Sequence, residues 1–195
     1  MIYLASSSPR RAELLTQIGV KFNILRADID ETPLEGEPAE ELVQRLSREK
    51  AIKGKGLIPD MQSDDLVLAA DTLISSQGQV LGKPESQTHC CSMLRQLSGQ
   101  KHQVLTAVAL INKQGLVTEE CCVNEIIFKD LTDSEIEQYC SSEEPYDKAG
   151  AYAIQGKAAI FIKHLVGSYS AVMGLPLFET AQLLEQAEHY IKDIT

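Results

Sequence analysis

A single aspartate directly follows a strongly apolar run in this sequence. Residues 66–70 read Leu-Val-Leu-Ala-Ala, and Asp71 and Thr72 come next. Such a run predicts a short buried strand over 66–72 that presents the Asp71 carboxylate at an edge of the sheet, where open α/β sheets bind their ligands. A lone aspartate there could equally cap a loop, so its chemistry depends on the side chains that come near it.

Two arginines follow a serine-rich loop near the N-terminus. Residues 6–11 read Ser-Ser-Ser-Pro-Arg-Arg, in which Ser8 suits the N-cap of a helix and Pro9 its first position. Cations at a helix N-terminus oppose the macrodipole, which costs about 0.3–1 kcal/mol each when they are exposed. A bound anion would make the position of these arginines favourable instead of costly, because backbone N–H groups, serine hydroxyls and guanidinium groups all bind anions. The pattern favours an anion site over a merely solvated helix start.

Further candidates for the same chemistry lie in three other segments. The acidic segment 28–32, Asp-Ile-Asp-Glu-Thr, could chelate a hard divalent cation or form a polar loop. Lys50 falls on the apolar stripe of a helix predicted over 38–55, so its ammonium must either escape to water or reach a polar site. Lys83 stands in a Gly-Lys-Pro loop after a hairpin that turns at residues 77–78.

The acidic segment also supports a different hypothesis. Asp28, Asp30 and Thr32 fit the Asp-x-Asp-x-Thr motif of haloacid-dehalogenase-like phosphatases, in which Asp28 would be the covalent nucleophile and Asp30 the acid. The chain has no convincing Gly-Asp-x-x-x-Asp metal motif downstream. The product of that reaction would be inorganic phosphate.

Composition narrows the class of protein. The chain has 195 residues, 44% of them hydrophobic and 24% charged, which predicts one globular domain over 1–195. The net charge of −10 argues against nucleic acid as a partner, so any anionic ligand must meet a local cluster of positive charge. The N-terminus does not resemble a signal peptide and no apolar run is long enough to span a membrane, so we expect a cytoplasmic protein.

The cysteines fit that location. There are five, an odd number, and none forms a Cys-x-x-Cys pair. A zinc site built from His89 and the two Cys-Cys pairs is disfavoured, because Cys90 shares a helical stripe with Met93 and Leu94 and is better interpreted as a small core hydrophobe.

Periodicity and turn signals predict alternating strands and helices with no repeat or linker. The segment 143–156 is predicted to be a polar loop outside the core. Besides the segments named above, strands are predicted at 2–5, 21–25, 104–111, 116–128 and 158–165, and helices at 9–18, 86–97, 132–140 and from 177 to about 184.

Six motifs occur together in one order along the chain. The sequence closely resembles the Maf family of nucleoside triphosphate pyrophosphatases from residue 4 to about residue 184. The motifs are Ser-Ser-Ser-Pro-Arg-Arg at 6–11, Arg-Glu-Lys-Ala at 48–51, Ala-Asp-Thr at 70–72, Gly-Lys-Pro at 82–84, Asp-Lys-Ala-Gly-Ala-Tyr at 147–152 with Ile-Gln-Gly at 154–156, and Gly-Leu-Pro-Leu at 174–177.

The resemblance implies both a fold and a reaction. The implied fold is a mixed, twisted α/β sheet with flanking helices, like that of the inosine triphosphate pyrophosphatases (Maf/Ham1), forming a two-lobed single domain with a central groove. The implied reaction is hydrolysis of a nucleoside triphosphate to the monophosphate and pyrophosphate with Mg²⁺ or Mn²⁺, usually in a homodimer.

The resemblance also assigns roles to individual residues. Asp71 matches the acidic residue that the family uses as proton acceptor, and Glu31 matches a polar position near substrate and metal. Our hypothesis from the chemistry of these carboxylates is that Asp71 and Glu31 hold the metal. The remaining matches are Ser8, Arg11, Lys50 and Lys83 for substrate and phosphate binding, and Arg10, Thr72 and Gln155 for substrate choice.

Gln155 within the Ile-Gln-Gly motif resembles one branch of the family. The branch that acts on dTTP and UTP has glutamine at this position, whereas the branch that prefers methylated GTP has an acidic residue. The expected role is clearance of non-standard or modified pyrimidine nucleotides. A nucleotide-binding regulator of cell division, which binds a triphosphate without turnover, is the non-enzymatic alternative.

Overall fold

The computed structural model describes residues 1–188, which form a seven-stranded mixed sheet with helices on both faces. This architecture confirms the predicted mixed α/β class. The strands are β1 Ile2–Ala5, β2 Phe22–Leu25, β3 Leu66–Ser76, β4 Gln79–Leu81, β5 Lys101–Asn112, β6 Val117–Phe128 and β7 Ile162–Val166. The helices are α1 Pro9–Gln17, α2 Ala39–Gly56, α3 Gln87–Leu97, α4 Asp133–Cys140, α5 Tyr169–Met173 and α6 Leu177–Gln186.

The sheet combines a parallel part with an antiparallel part. Its strand order is β2-β1-β3-β5-β6-β7, with β4 paired to β3. Strand β1 is parallel to both β2 and β3, as the β1-α1-β2 crossover requires. The remaining strands are antiparallel to their neighbours, and the hairpin of β5 and β6 is the longest ladder.

Strand β3 has one edge that is covered only in part. β5 pairs with the opposite edge along nearly its whole length. On the other edge β1 pairs with β3 as far as Leu68, and β4 pairs with it from Ile74 onward. We call residues 69–73 the open edge of β3. Asp71 and Thr72 lie within it, just beyond the carboxyl end of β1.

The prediction that this strand ends at Thr72 is therefore wrong. β3 continues to Ser76, because its antiparallel ladder with β5 extends past Asp71, which lies opposite Ala107. Asp71 reaches the sheet's edge because β1 stops short beside it, and not because its own strand ends there.

Helices cover both faces of β3. Its even-numbered residues 66, 68 and 70 pack against α1 and α6, and residues 67 and 69 pack in a cluster with Ala51 of α2. Along a strand, successive side chains point to opposite faces, so Asp71 projects toward α2 and Thr72 toward α1. Within residues 1–188, no helix is both long and apolar enough to span a bilayer.

A hydrophobic cluster separate from the one against α1 and α6 lies between the sheet and helices α3 and α4. The residues in this cluster correct two predictions. The segment 143–156 was predicted to lie outside the core, but Ala151–Ile154 is buried there because Tyr152 packs on Phe128. The predicted strand over 158–165 begins later, at Ile162. The residues before it form a 3₁₀ turn, Lys157–Phe161, and two others precede it at Glu144–Asp147 and Ala149–Ala151.

Cys90 is buried on the core face of α3, and the structure pairs it with Cys140 of α4 as a disulfide with a Cα–Cα distance of 5.9 Å. The interpretation of Cys90 as a small core residue is confirmed by its burial. The disulfide itself was not predicted, because the sequence gives no sign that the two helices meet at these positions. Disulfides are rare in reducing compartments, where the same pair would be thiols packed in the core.

Candidate functional site

A groove of about 410 Å³ opens beside the open edge of β3. It lies where β1 leads into α1, and the segment that follows α4 contributes to its wall. All of the site residues predicted from the sequence line it, namely Ser8, Arg10, Arg11, Glu31, Lys50, Asp71, Thr72, Lys83 and Gln155.

Arg11 is buried in the groove wall and ties three distant segments together. Its Nε donates to the carbonyl of Gly174 at 2.8 Å, its Nη1 to Ser6 Oγ at 3.2 Å and its Nη2 to Thr72 Oγ1 at 3.3 Å. Burial lowers the pKa of Arg11, and the nearby Asp71 carboxylate opposes that shift. Most of the guanidinium donors are thus engaged by protein, which fixes the group as a wall of the groove.

The hydroxyl of Thr72 is part of a directed chain of hydrogen bonds. Thr106 Oγ1 donates to the carbonyl of Ala171 at 2.7 Å and lies 3.0 Å from Thr72 Oγ1. Because the Thr106 proton is already used, Thr72 must donate to Thr106 while it accepts from Arg11. One lone pair of the Thr72 hydroxyl remains, so toward the groove this group can act only as an acceptor.

Lys50 joins the two carboxylates that were predicted to hold metal. Its Nζ lies 2.6 Å from Asp71 Oδ1 and 2.5 Å from Glu31 Oε1. The Asp71 side chain is 11% exposed and that of Lys50 12%, whereas that of Glu31 is 59% exposed. Burial alone would raise the pKa of Glu31, but the hydrogen bond and charge of Lys50, with smaller effects of Lys83 and Arg11, hold that pKa below its usual value.

The donor set fits a hard divalent cation. Asp71 and Glu31 both place an oxygen against the same ammonium, so both lie within reach of one small cation. Among the described residues, no group of three or more histidine, cysteine, aspartate or glutamate side chains could hold a metal. Two carboxylates suit Mg²⁺, which typically keeps several waters and takes its other ligands from substrate phosphates.

Four further predicted residues present polar groups at the groove. Ser8 is the residue before α1, but its hydroxyl makes no capping hydrogen bond, so it remains available to a ligand. Lys83 and Gln155 are exposed, and Arg10 is half-buried. Arg10 and Lys83 line the groove, and neither has an ion-pair partner within residues 1–188, so both remain available to an anionic ligand.

Sequence reasoning missed four residues around this site. Asp147, Lys148 and Tyr152 line the groove, although they belong to the segment that was predicted to be a polar loop. Their presence in a motif at 147–152 was the available signal. His102 lies behind Tyr152, with 2.7 Å between its Nε2 and the Tyr152 hydroxyl. Nothing in the sequence pattern connects residues 102 and 152.

The structure separates the two aspartates of the phosphatase hypothesis. Asp28 lines the groove. Asp30 is exposed, accepts a hydrogen bond from the backbone N–H of Thr32 at 3.0 Å, and is not among the residues that line the groove. The pair therefore does not present a nucleophile and an acid to one site.

Comparison with known proteins shows the family of this chain. A model of the Maf family, described as Maf-like protein, matches residues 1–187. The chain belongs to the Maf family. Its relatives include the dTTP/UTP pyrophosphatase of Pseudoalteromonas atlantica, which is 54% identical over 95% of this chain and 96% of its own. The dTTP/UTP pyrophosphatase of Pectobacterium atrosepticum is 50% identical over 93% of this chain and 90% of its own.

Solved structures place the Maf fold beside another family. The Staphylococcus aureus Ham1 protein superposes with a TM-score of 0.53 over 96% of this chain and 98% of its own, at 13% sequence identity. At that identity the likeness concerns the fold alone. It confirms the Ham1-like architecture that the sequence motifs implied.

Proposed function

We propose that this Maf protein hydrolyses dTTP and UTP to the nucleoside monophosphate and pyrophosphate. The observation that carries the proposal is the groove itself, in which a buried aspartate lies beside cations from α1, α2 and the loop after β4. The activity in the names of the relatives, dTTP/UTP pyrophosphatase, supports the same substrates.

Asp71 is the proposed proton acceptor. Cleavage between the α and β phosphates needs a water molecule in line with the leaving group and positive charge around the phosphate oxygens. The Asp71 carboxylate is buried at the open edge of β3 and is held in place by Lys50. From there it can orient the water and take its proton, while the α1 N-terminus, Ser8 and Arg10 bind phosphate oxygens.

Lys50 has two proposed roles in this reaction. With the carboxylates of Asp71 and Glu31 it forms a compact charged cluster, and its ammonium can turn from them to a phosphate oxygen when substrate enters. A bound Mg²⁺ or Mn²⁺, held by Asp71 and Glu31, would supply further charge neutralisation for the phosphates.

The hydrogen-bond chain through Thr72 supports a preference for uracil and thymine. These bases carry an N3–H donor, whereas N3 of cytosine is an acceptor. A Thr72 hydroxyl that can only accept would pair with the first kind of base and leave the second unpaired. Gln155 lines the same groove, and its proposed role is to donate from its side-chain NH2 group to a carbonyl oxygen of the base.

A panel of nucleoside triphosphates tests the proposal. Wild type with Mg²⁺ or Mn²⁺ should release pyrophosphate, not phosphate, from dTTP and UTP. Asp71→Asn should lower kcat by about 10²–10⁴-fold, the usual contribution of a general base, while the fold is retained. Asp30→Asn, outside the groove, is the matched control and should keep wild-type activity.

Two results would reject the proposal. Release of inorganic phosphate that depends on Asp28 and Asp30 would point to the phosphatase reaction. Triphosphate binding without turnover would point to a regulator.

We also propose that the protein is a cytoplasmic homodimer with a single domain over 1–195, whose last seven residues lie outside the described part. These statements rest on the sequence. Light scattering on the purified protein tests the dimer.

A further inference from the structure

The predicted cations of the groove supply less free charge than their number indicates. Arg11 donates hydrogen bonds from its Nε, Nη1 and Nη2 atoms to acceptors within the protein. Lys50 is shared between two carboxylates. Apart from the proposed metal and a Lys50 that would have to leave its two carboxylates, Arg10 and Lys83 are the predicted cations left to meet a triphosphate. A further free cation in the groove would help to neutralise such a ligand in this acidic protein.

Lys148 is the remaining cationic side chain of the groove wall. Its side chain is only 15% exposed, although its ammonium pairs with the carboxylate of its neighbour Asp147, which is 69% exposed. The hydrogen bond from Lys148, with the charge of Arg10, lowers the pKa of Asp147. An ion pair with one partner so open to water contributes little to stability, so the ammonium can exchange this carboxylate for a phosphate.

The backbone around Lys148 is fixed beside the loop that carries Lys83. The N–H of Gly150 donates to the carbonyl of Gly82 at 2.9 Å. Gly150 has φ +64°, and a Cβ there would lie 2.7 Å from Ile74 Cδ1, so this turn must approach β3 closely. The two lysines are thus supplied by segments that are bonded to each other.

We propose that Lys148 and Lys83 together bind the two terminal phosphates, which leave as pyrophosphate. Two ammonium groups held on neighbouring segments repel each other, and a polyanion between them relieves that repulsion. The base is left to Gln155 and Thr72. This assignment rests on the proposed function, and it makes Lys148 a substrate-binding residue that the sequence analysis did not identify.

Calorimetric titration with inorganic pyrophosphate in a magnesium buffer tests the assignment, because pyrophosphate has no base. Lys148→Met should weaken pyrophosphate binding by about ten- to a hundredfold, the size of one charge-assisted hydrogen bond, and should leave UMP binding unchanged. Lys148→Arg should retain part of the affinity. Asp147→Asn, which frees the lysine, should bind pyrophosphate at least as tightly as wild type.

Lys163→Met is the matched control, since Lys163 lies exposed on β7 and does not line the groove. It should bind both probes as wild type does. Circular dichroism verifies that each variant is folded.

Three outcomes would overturn the assignment: wild type that binds no pyrophosphate, Lys148→Met with wild-type pyrophosphate affinity, or equal weakening of pyrophosphate and UMP. If instead the assignment holds but wild type hydrolyses no triphosphate, the proposed function fails and the pyrophosphate site stands.

Discussion

His102 should make the stability of this protein depend on pH in the mildly acidic range. Its side chain lies in the core behind the groove, where the residue is 3% exposed, 2.7 Å from the hydroxyl of Tyr152 and edge-on to Phe128. Its Nδ1 atom has no hydrogen-bond partner in the part of the chain that the structure describes. Burial lowers the pKa of His102 from 6.5 to about 4.

The size of the effect follows from that shift. Below pH 6.5 the His102 side chain is protonated in the unfolded chain, whereas in the folded protein it stays neutral down to about pH 4. The contribution of neutral His102 to the free energy of unfolding is therefore fully present above pH 6.5, and it is lost as the pH falls from 6.5 to about 4. The total loss is about 3 kcal/mol, because each unit of pKa difference corresponds to about 1.4 kcal/mol.

Urea unfolding of wild type and His102→Gln at several pH values measures this contribution. Near neutral pH the variant should be less stable, because it loses the packing against Phe128 and Tyr152. As the pH falls to about 4.5, the difference should shrink by about 2–3 kcal/mol, since only wild type carries the histidine. Two stability curves that stay parallel over this range would refute the argument that His102 is buried and neutral.

Two further predictions concern packing and base choice. Gly54→Ala should destabilise the protein by about 1–3 kcal/mol in the same unfolding assay, as overpacking does. The reason is that a Cβ at this position of α2 would lie 2.8 Å from Ala5 Cβ and 2.9 Å from Val67 Cγ1. Unchanged stability would contradict this prediction and would mean that the helix shifts to make room. Thr106→Val should release the Thr72 proton toward the groove, and the ratio of kcat/KM for UTP to that for CTP should fall about tenfold or more. The ratio does not depend on how much enzyme is folded, and a ratio equal to that of wild type would contradict the proposed direction of the hydrogen-bond chain.

Local patterns predicted much of this fold and site. The serine-proline start predicted the first turn of α1, and the apolar stripe of α2 placed Lys50 on the packed side of that helix, with water and a polar site both open to its ammonium. Both inferences are local, because capping residues and helical periodicity lie within a few turns. The helix predicted over 132–140 begins with a capping box between Thr132 and Glu135, which is an equally local signal.

What the sequence did not reveal depends on contacts between distant residues. Arg11 meets the carbonyl of Gly174, which is 163 positions away. The extension of β3 past Thr72 depends on pairing with β5, and the burial of Tyr152 depends on a neighbour, Phe128, in β6. Polarity averaged over residues 143–156 concealed the apolar stretch inside that segment. Periodicity within one segment carries no information about such partners.

The open edge of β3 also provides a binding element that is independent of side chains. Where β1 stops and β4 has not begun, residues 69–73 offer main-chain N–H and C=O groups that the strand ladder leaves unpaired. A ligand that hydrogen-bonds to residues 69–73 in this way is recognised by backbone groups that substitutions other than proline leave in place. The side chains around it can therefore change, and base preference with them, while the position of the ligand along β3 is retained.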